Sequence, residues 1–409
     1  MRGKDYKYDI KGESLMEENK KWVACWSAAP VKGGIHIGPL HLNNGLLYST
    51  ARTVLRPTLR GEKIRLTFSN RYSKKPLTIS GCSVATVTDL KKHETDTPVT
   101  VTFGGKEEIT IPAGEDITSD EAVFSTEALK EIAVNIFVKG AVMRTKGLYG
   151  SDTWLSFGNQ TKNKGFTPMW HLILKTSIAT LQTNPFLTRV DTLADGDAYA
   201  IVIAGDSTLA NETPFLLAER LKRTGRDNVA VIQQAIAGNR IGENGRGIIA
   251  NLYGEAFLSR FDKDIVKCPG VKKVIFKEGI NDVIHPHSLT VGGTPITAEE
   301  VIDRTKKAIR KCKEQGWEIY VSRKTPFKGF GKLLPGIRDF TWTQEIQDIV
   351  DAMDRWIAET DEHDGQIFTD YLRDENDREV MKKELTKDFI HYNTDGQKMF
   401  VESIPEEYL

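Results

Sequence analysis

Between Trp22 and about Leu181, apolar and polar positions alternate in short runs. Lys63-Ile64-Arg65-Leu66-Thr67-Phe68 has the period of two that sends one face of a strand into a core and the other toward water. Leu77-Thr78-Ile79, Cys82-Ser83-Val84-Ala85, Val99-Thr100-Val101-Thr102-Phe103 and Ile109-Thr110-Ile111 repeat the pattern, with Gly104-Gly105 as a turn. Ile132 to Val138 is a longer strand of the same kind. Short strands at regular spacing predict a β-sandwich of jelly-roll-like form over residues 19–183. Residues 1–18 are charged and patternless, and are expected to be a flexible tail.

After Asn184-Pro185 the texture changes, and residues 184–409 are expected to form a second domain. Tyr199 to Ala204 is a continuous apolar run ending at Gly205, as in a strand buried on both faces. Thr213-Pro214 reads as an N-cap followed by proline at the first helical position. Asn228–Ile232, Lys273–Phe276, Glu318–Val321 and Gln366–Thr369 are further strands. Val301, Ile302, Thr305, Ala308, Ile309 and Cys312 share one helical face, opened by a Thr297/Glu300 capping box and stopped at Gly316. Ile346, Ile349, Val350, Met353 and Ile357 mark another amphipathic helix. Strands alternating with helices predict an α/β domain, with a mostly parallel five-stranded sheet covered on both faces.

The length of 409 residues suits two domains, and 39% apolar with 27% charged residues is a globular composition. Lys plus Arg and Asp plus Glu are each 56, a balance that argues against nucleic acid as a partner. No apolar run is long enough to span a bilayer, and no apolar stretch follows the charged start as in a secretory signal. Cys25, Cys82, Cys268 and Cys312 are too far apart to suggest a disulfide framework or thiolate zinc site, and read as reduced, buried thiols. A cytoplasmic location is expected, and nothing in the chain indicates an oligomeric state.

Ligands of open α/β sheets bind beyond the carboxyl ends of the strands. Gly205-Asp206-Ser207-Thr208 follows the first predicted strand, Ala235 to Arg240 the second, and Glu278-Gly279-Ile280-Asn281-Asp282 the third. Asp388-Phe389-Ile390-His391 precedes the last helix. Ester hydrolysis needs a nucleophile, a base and oxyanion donors. Ser207 is a candidate nucleophile, His391 a candidate base because imidazole as a class suits that task, and Asp388 a carboxylate close enough to orient the ring.

These four blocks, in this order, resemble those of the SGNH, or GDSL-type, hydrolase family. The resemblance runs from about Ala198 to the C-terminus and extends to Phe261-Asp262-Lys263-Asp264 and Cys268-Pro269-Gly270-Val271. Trp22–Trp26, Leu66–Arg71 and Ile111–Gly114 are similar to the β-rich domain that precedes some bacterial members. Thr208 stands where Leu or Ile is usual, and Tyr392 where Pro is common. The resemblance implies a flavodoxin-like three-layer fold, a Ser207–His391–Asp388 relay and no cofactor. It also implies oxyanion donors from the Ser207 and Gly238 backbone N–H groups and the Asn281 amide.

Blander roles stand beside these. Ser207 could be a helix cap, Asp206 could order its loop, and Asn239 could be a turn residue or a support for the oxyanion pocket. Asp282 reads as structural. His285 and His287 with Asp282 invite a metal-site reading, but Pro286 and Gly292-Gly293 favour a mobile, solvated loop, and no metal is expected. Phe327, Phe330, Phe340 and Trp342 flank a loop after the fourth strand, and Phe327 and Trp342 are taken as candidate pocket walls with Asp206 and Asn239.

The function expected is a serine carboxylic-ester hydrolase that removes a short acyl group from a carbohydrate or small molecule. That substrate rests on analogy with β-sandwich-bearing carbohydrate esterases. A lysophospholipid or short lipid ester is the second possibility. A carbohydrate-binding protein with a silent hydrolase domain is the competitor of another class.

Overall fold

The computed structural model describes residues 19–32, 35–37, 40–42, 45–142, 146–148, 151–168, 183–210, 212–247, 250–334, 337–338 and 342–409. The expected tail (1–18) and Phe340 lie outside the described residues. Two larger antiparallel sheets form the body of the β-rich region, with smaller antiparallel pairs such as Leu77–Ile79 with Ile109–Ile111 beside them. One runs Lys20–Ser27, Leu187–Asp195, Gly61–Ser69, with Asp116–Thr118 and Ala122–Thr126 both pairing with the last. The other runs Val99–Thr100, Gly81–Asp89, Ile132–Val142, Gly45–Leu55, Ser151–Phe157, with Glu94–Thr95 on Gly81–Asp89. Leu66 and Phe68 of the first sheet share a core with Val84, Val134 and Ile136 of the second. The alternation works as period two requires: in Ala122–Thr126 every second residue is buried.

The α/β region contains β1 (Tyr199–Gly205), α1 (Thr213–Arg223), β2 (Val229–Gln233), β3 (Val271–Lys277), α2 (Ala298–Glu314), β4 (Glu318–Ser322), α3 (Gln344–Glu359), β5 (Gly365–Ile367) and α4 (Thr394–Ser403). All neighbours in the sheet order β2-β1-β3-β4-β5 are parallel. Ile201 and Ile203 of β1 pack with Leu217 of α1 and Phe400 of α4, while Ala200, Val202 and Ala204 join Val301 of α2 and Ile346 of α3. One strand therefore feeds both helical layers, which explains its unbroken apolar run. The strand order reverses at β1, so the crevice lies at the carboxyl ends of β1 and its neighbours.

Local signals set most of the ends. The Thr297/Glu300 capping box is present at α2, and Gly316 follows its C-cap in a left-handed conformation. Asn393 caps α4 by accepting from Gly396 N. At α1 the expectation is corrected by one residue. Glu212 is the N-cap, in helical conformation, and Thr213 is already the first helical residue with Pro214 second.

The sequence boundary at Asn184-Pro185 also needs correction. Leu187–Asp195 lies beyond it, yet pairs with Lys20–Ser27 and Gly61–Ser69 in the β-rich sheet. The change to parallel architecture comes at β1. The two regions are tightly joined there. Ala24 N donates to Pro269 O at 2.9 Å, Val231 N donates to Thr58 Oγ1 at 2.9 Å, and Ser27 Oγ donates to Gln233 O at 2.9 Å. Arg71 bridges Asp116 of the β region and Asp264 of the α/β region. Its guanidinium loses solvation by burial, but those two carboxylates hold its pKa above the ordinary value. Segments singled out in the sequence, Leu66–Arg71 and Phe261–Asp264, thus meet at this ion pair.

Candidate active site

The nucleophile turn begins where β1 meets β3. Gly205 is the last residue of β1, and a Cβ there would lie 2.6 Å from the Lys277 carbonyl oxygen, so only glycine allows this approach. Asp206 is buried; its Oδ1 accepts from Thr208 N and Thr208 Oγ1, both at 2.8 Å. The turn is closed from both sides of Ser207, which stays half-buried with its hydroxyl toward the crevice. Asp206 therefore orders the loop.

The opposite partner sits on a short loop before α4. Thr386 Oγ1 accepts from Asp388 N and Phe389 N and donates to His391 O at 2.8 Å. Phe389 takes a left-handed conformation, φ 74°, which the surrounding hydrogen bonds hold in place. His391 Nε2 is 2.7 Å from Ser207 Oγ, and His391 Nδ1 is 2.7 Å from Asp388 Oδ2. A carboxylate only accepts, so Nδ1–H donates to Asp388, leaving Nε2 to accept the Ser207 hydroxyl proton. Asp388 Oδ1 also accepts from His391 N at 2.9 Å, so the carboxylate is fixed on both oxygens. Partial burial pushes the Asp388 carboxyl up, but the hydrogen bond and charge of His391 outweigh it and hold the pKa below the ordinary value. The Asp388 side chain is 44% exposed and that of His391 33%.

Gly238, after β2, has φ 70°, and a Cβ there would meet the Tyr253 ring at 2.1 Å. No acceptor among the described residues takes the backbone N–H of Ser207 or of Gly238. Asn281 is buried, and its Nδ2 donates one hydrogen to Asn239 O at 3.0 Å. Asn239 is fully buried. Its amide donates to Tyr253 O and Glu255 O, both at 2.8 Å, and its Oδ1 accepts from Arg260. It is therefore a brace behind the Gly238 turn and not a pocket wall, because its hydrogen-bonding groups are all engaged.

Other expectations separate in the same way. Phe327 is buried in the core, and its neighbour Phe330 stands edge-on to the His391 ring, centroids 5.7 Å apart. Trp342 is partly buried and donates to Gln347 at 3.0 Å, with Lys328 over its ring. Asp282 is structural: it accepts from Ile241 N at 2.8 Å and pairs with Arg304. The loop reading of His285 fails, since it is buried in a short helical turn and stacked on Tyr253. Among the described residues no cluster of three or more His, Cys, Asp or Glu side chains could hold a metal. All four cysteines are buried and unpaired. No helix among the described residues is long and apolar enough to cross a membrane.

Below the turn lies a polar floor absent from the sequence reading. Lys277, the last residue of β3, is buried and donates to Thr208 Oγ1 at 2.8 Å and to Thr325 Oγ1. Thr325 Oγ1 is 3.3 Å from the buried hydroxyl of Tyr392. Its one signal in the sequence is a lysine directly after the apolar run Val274-Ile275-Phe276.

Residues 200–399 match the family described as GDSL-like lipase/acylhydrolase. An acetyl xylan esterase, AlAXEase, is 17% identical and covers 50% of this chain and 97% of its own, TM-score 0.37. An acetyl-xylooligosaccharide esterase from Geobacillus Stearmophilus is 16% identical, over 51% of this chain and 94% of its own, TM-score 0.36. A GDSL-like lipase from Bacteroides thetaiotaomicron is 15% identical, over 51% of this chain and 84% of its own, TM-score 0.35. No curated protein matches the chain.

Proposed function

We propose, for a chain whose residues 200–399 match the GDSL-like lipase/acylhydrolase family, a serine carboxylic-ester hydrolase working through an acyl-enzyme. The observation that carries this reading is the unbroken Ser207–His391–Asp388 hydrogen-bonded chain, 2.7 Å at each link. His391 Nε2 takes the Ser207 proton as Oγ attacks the ester carbonyl, and Asp388 stabilises the imidazolium. The Ser207 and Gly238 N–H groups and the Asn281 amide receive the developing oxyanion. His391 then returns the proton to the leaving alcohol. In the second half it takes a proton from water, which attacks the acyl carbon, and returns that proton to Ser207 Oγ as the acid leaves.

Within this reading the substrate is a short acyl ester of a polar alcohol such as a sugar. The exposure of Asp388 and His391 supports it, because a solvent-open site suits a small acyl group on a hydrophilic carrier better than a long chain. The β-rich region, read as a jelly-roll-like sandwich, is an accessory fixed to the catalytic half. A panel of 4-nitrophenyl esters and acetylated xylo-oligosaccharides tests the assignment. Turnover of acetyl esters above octanoyl esters, lost in Ser207→Ala, supports it. A preference for long acyl chains or lysophospholipid transfers the reading to lipid esters. Glycan binding without any turnover identifies a binding protein.

A further inference from the structure

The residue after the nucleophile is Thr208, where the resembling family usually has an aliphatic side chain, and it is fully engaged. Its Oγ1 donates to Asp206 Oδ1 and accepts from Lys277 Nζ, each at 2.8 Å. Lys277 is 1% exposed and enters the floor from the end of β3. Its second bond goes to Thr325, on the segment that leaves β4. Thr325 reaches the Tyr392 hydroxyl, and the Lys277 ammonium lies 5.5 Å from the Tyr392 ring centroid. Tyr392 is the residue after His391.

We propose that Lys277 is a positioning residue for the catalytic serine: through Thr208 and Thr325 it ties the turn carrying Ser207 to the loop carrying His391. The inference rests on the esterase reading above. Ser207 and His391 are 184 positions apart, yet must stay within one hydrogen bond of each other. Each is held locally, Ser207 by the Asp206–Thr208 closure and His391 by the Thr386 loop. Local closure orders each loop but does not set one loop against the other. Lys277 supplies that cross-link from the strand between them.

The relay is directional. An ammonium has hydrogens only to give, so Thr208 Oγ1 must accept from it and pass its own hydrogen to Asp206. A buried ammonium is expensive unless its hydrogens are taken, so Lys277 and a hydroxyl at 208 form a matched pair. An aliphatic side chain at 208 would leave the ammonium short of an acceptor. Among the described residues the hydrogen bonds of Lys277 go to hydroxyls of the floor, so its effect on chemistry runs through Ser207 and not through substrate.

Thr208→Val, Thr208→Ser, Lys277→Met and Thr208→Val/Lys277→Met full-length proteins test this against Ser207→Ala. The readouts are kcat and KM for 4-nitrophenyl acetate, and the rate at which a fluorophosphonate labels the serine. Thr208→Val should lower kcat and labelling at least about tenfold while KM stays within about twofold, since small displacements of a reacting group cost rate more than binding. Thr208→Ser restores the hydroxyl and should recover most of both. The double variant should be no worse than the more damaged single, because both remove one link. A folded Thr208→Val protein with kcat and labelling within about twofold of wild type overturns the inference even where Lys277→Met does not fold. Independent, multiplying losses also overturn it. Turnover surviving in Ser207→Ala is a different failure, that of the esterase reading itself.

Discussion

Ser207 stands between two supports of opposite character. On the outer side, His391 and Asp388 are partly open to water, and the Thr386 hydroxyl and the Asp388 carboxylate bind the backbone of the loop that carries them. On the inner side, Thr208, Lys277 and Thr325 are buried, and a chain of side-chain hydrogen bonds runs through them. The difference follows from what each side does in the proposed cycle. His391 changes protonation in every turnover, with Asp388 stabilising its charge, and must exchange protons with substrate and water. The inner set keeps its protons and sets position, so burial strengthens it without hindering chemistry.

Breaking the outer side should have the largest effects. His391→Ala should cost about as much as Ser207→Ala, on the order of 10⁶ in kcat, because members of a catalytic unit are not additive. Steady-state kinetics on folded variants check this. Asp388→Asn should cost less, about 10⁴, since the ring remains while its tautomer and charge support are lost. If Asp388→Asn matches His391→Ala, orientation by the carboxylate is worth more than its exposure implies. Asn281→Ala should cost about 10²–10³ in kcat with KM little changed, as expected of a donor acting mainly in the transition state. A lowered melting temperature with normal kcat would instead make Asn281 a turn residue only.

The inner side has a smaller signature, in stability against pH. Burial pushes the Lys277 and Lys324 ammoniums down to about 8, against the opposing pull of Asp206, Asp354 and Glu278. The unfolded chain releases these protons near ~10.4. Between those values the unfolded state binds more protons, so this contribution to stability is absent at the lower pH and grows as pH rises. Denaturant unfolding of wild type and Lys277→Met at both ends of that window measures it. The stability of wild type relative to the variant should rise with pH; a constant difference would mean that Lys277 does not titrate there.

The outer side was legible in the sequence and the inner side was not, for a physical reason. Ser207, Gly238, Asn281 and the Asp388–His391 pair sit in short blocks directly after strands or before a helix, where local pattern gives their place. The α2 cap and the unbroken run of β1 are local too. Lys277 reads as a surface lysine at a strand end, and only the packing of β1, β4 and the Tyr392 loop around it makes it internal. Leu187–Asp195 lies beyond the Asn184-Pro185 change of texture yet joins the β-rich sheet, because its antiparallel pairing with Lys20–Ser27 is non-local. Phe327 and Phe330 are three positions apart in a loop without periodicity, so nothing in the pattern says which faces the core and which faces His391.

Trapping the acyl-enzyme tests the central claim most directly. Wild-type protein mixed with excess acetyl ester is quenched in acid within one turnover, digested and weighed by mass spectrometry. The peptide bearing Ser207 should carry one acetyl group, and the acetyl should vanish in Ser207→Ala together with turnover. An acetyl group on another residue, or undiminished turnover in folded Ser207→Ala, would contradict the assignment of Ser207 as the nucleophile.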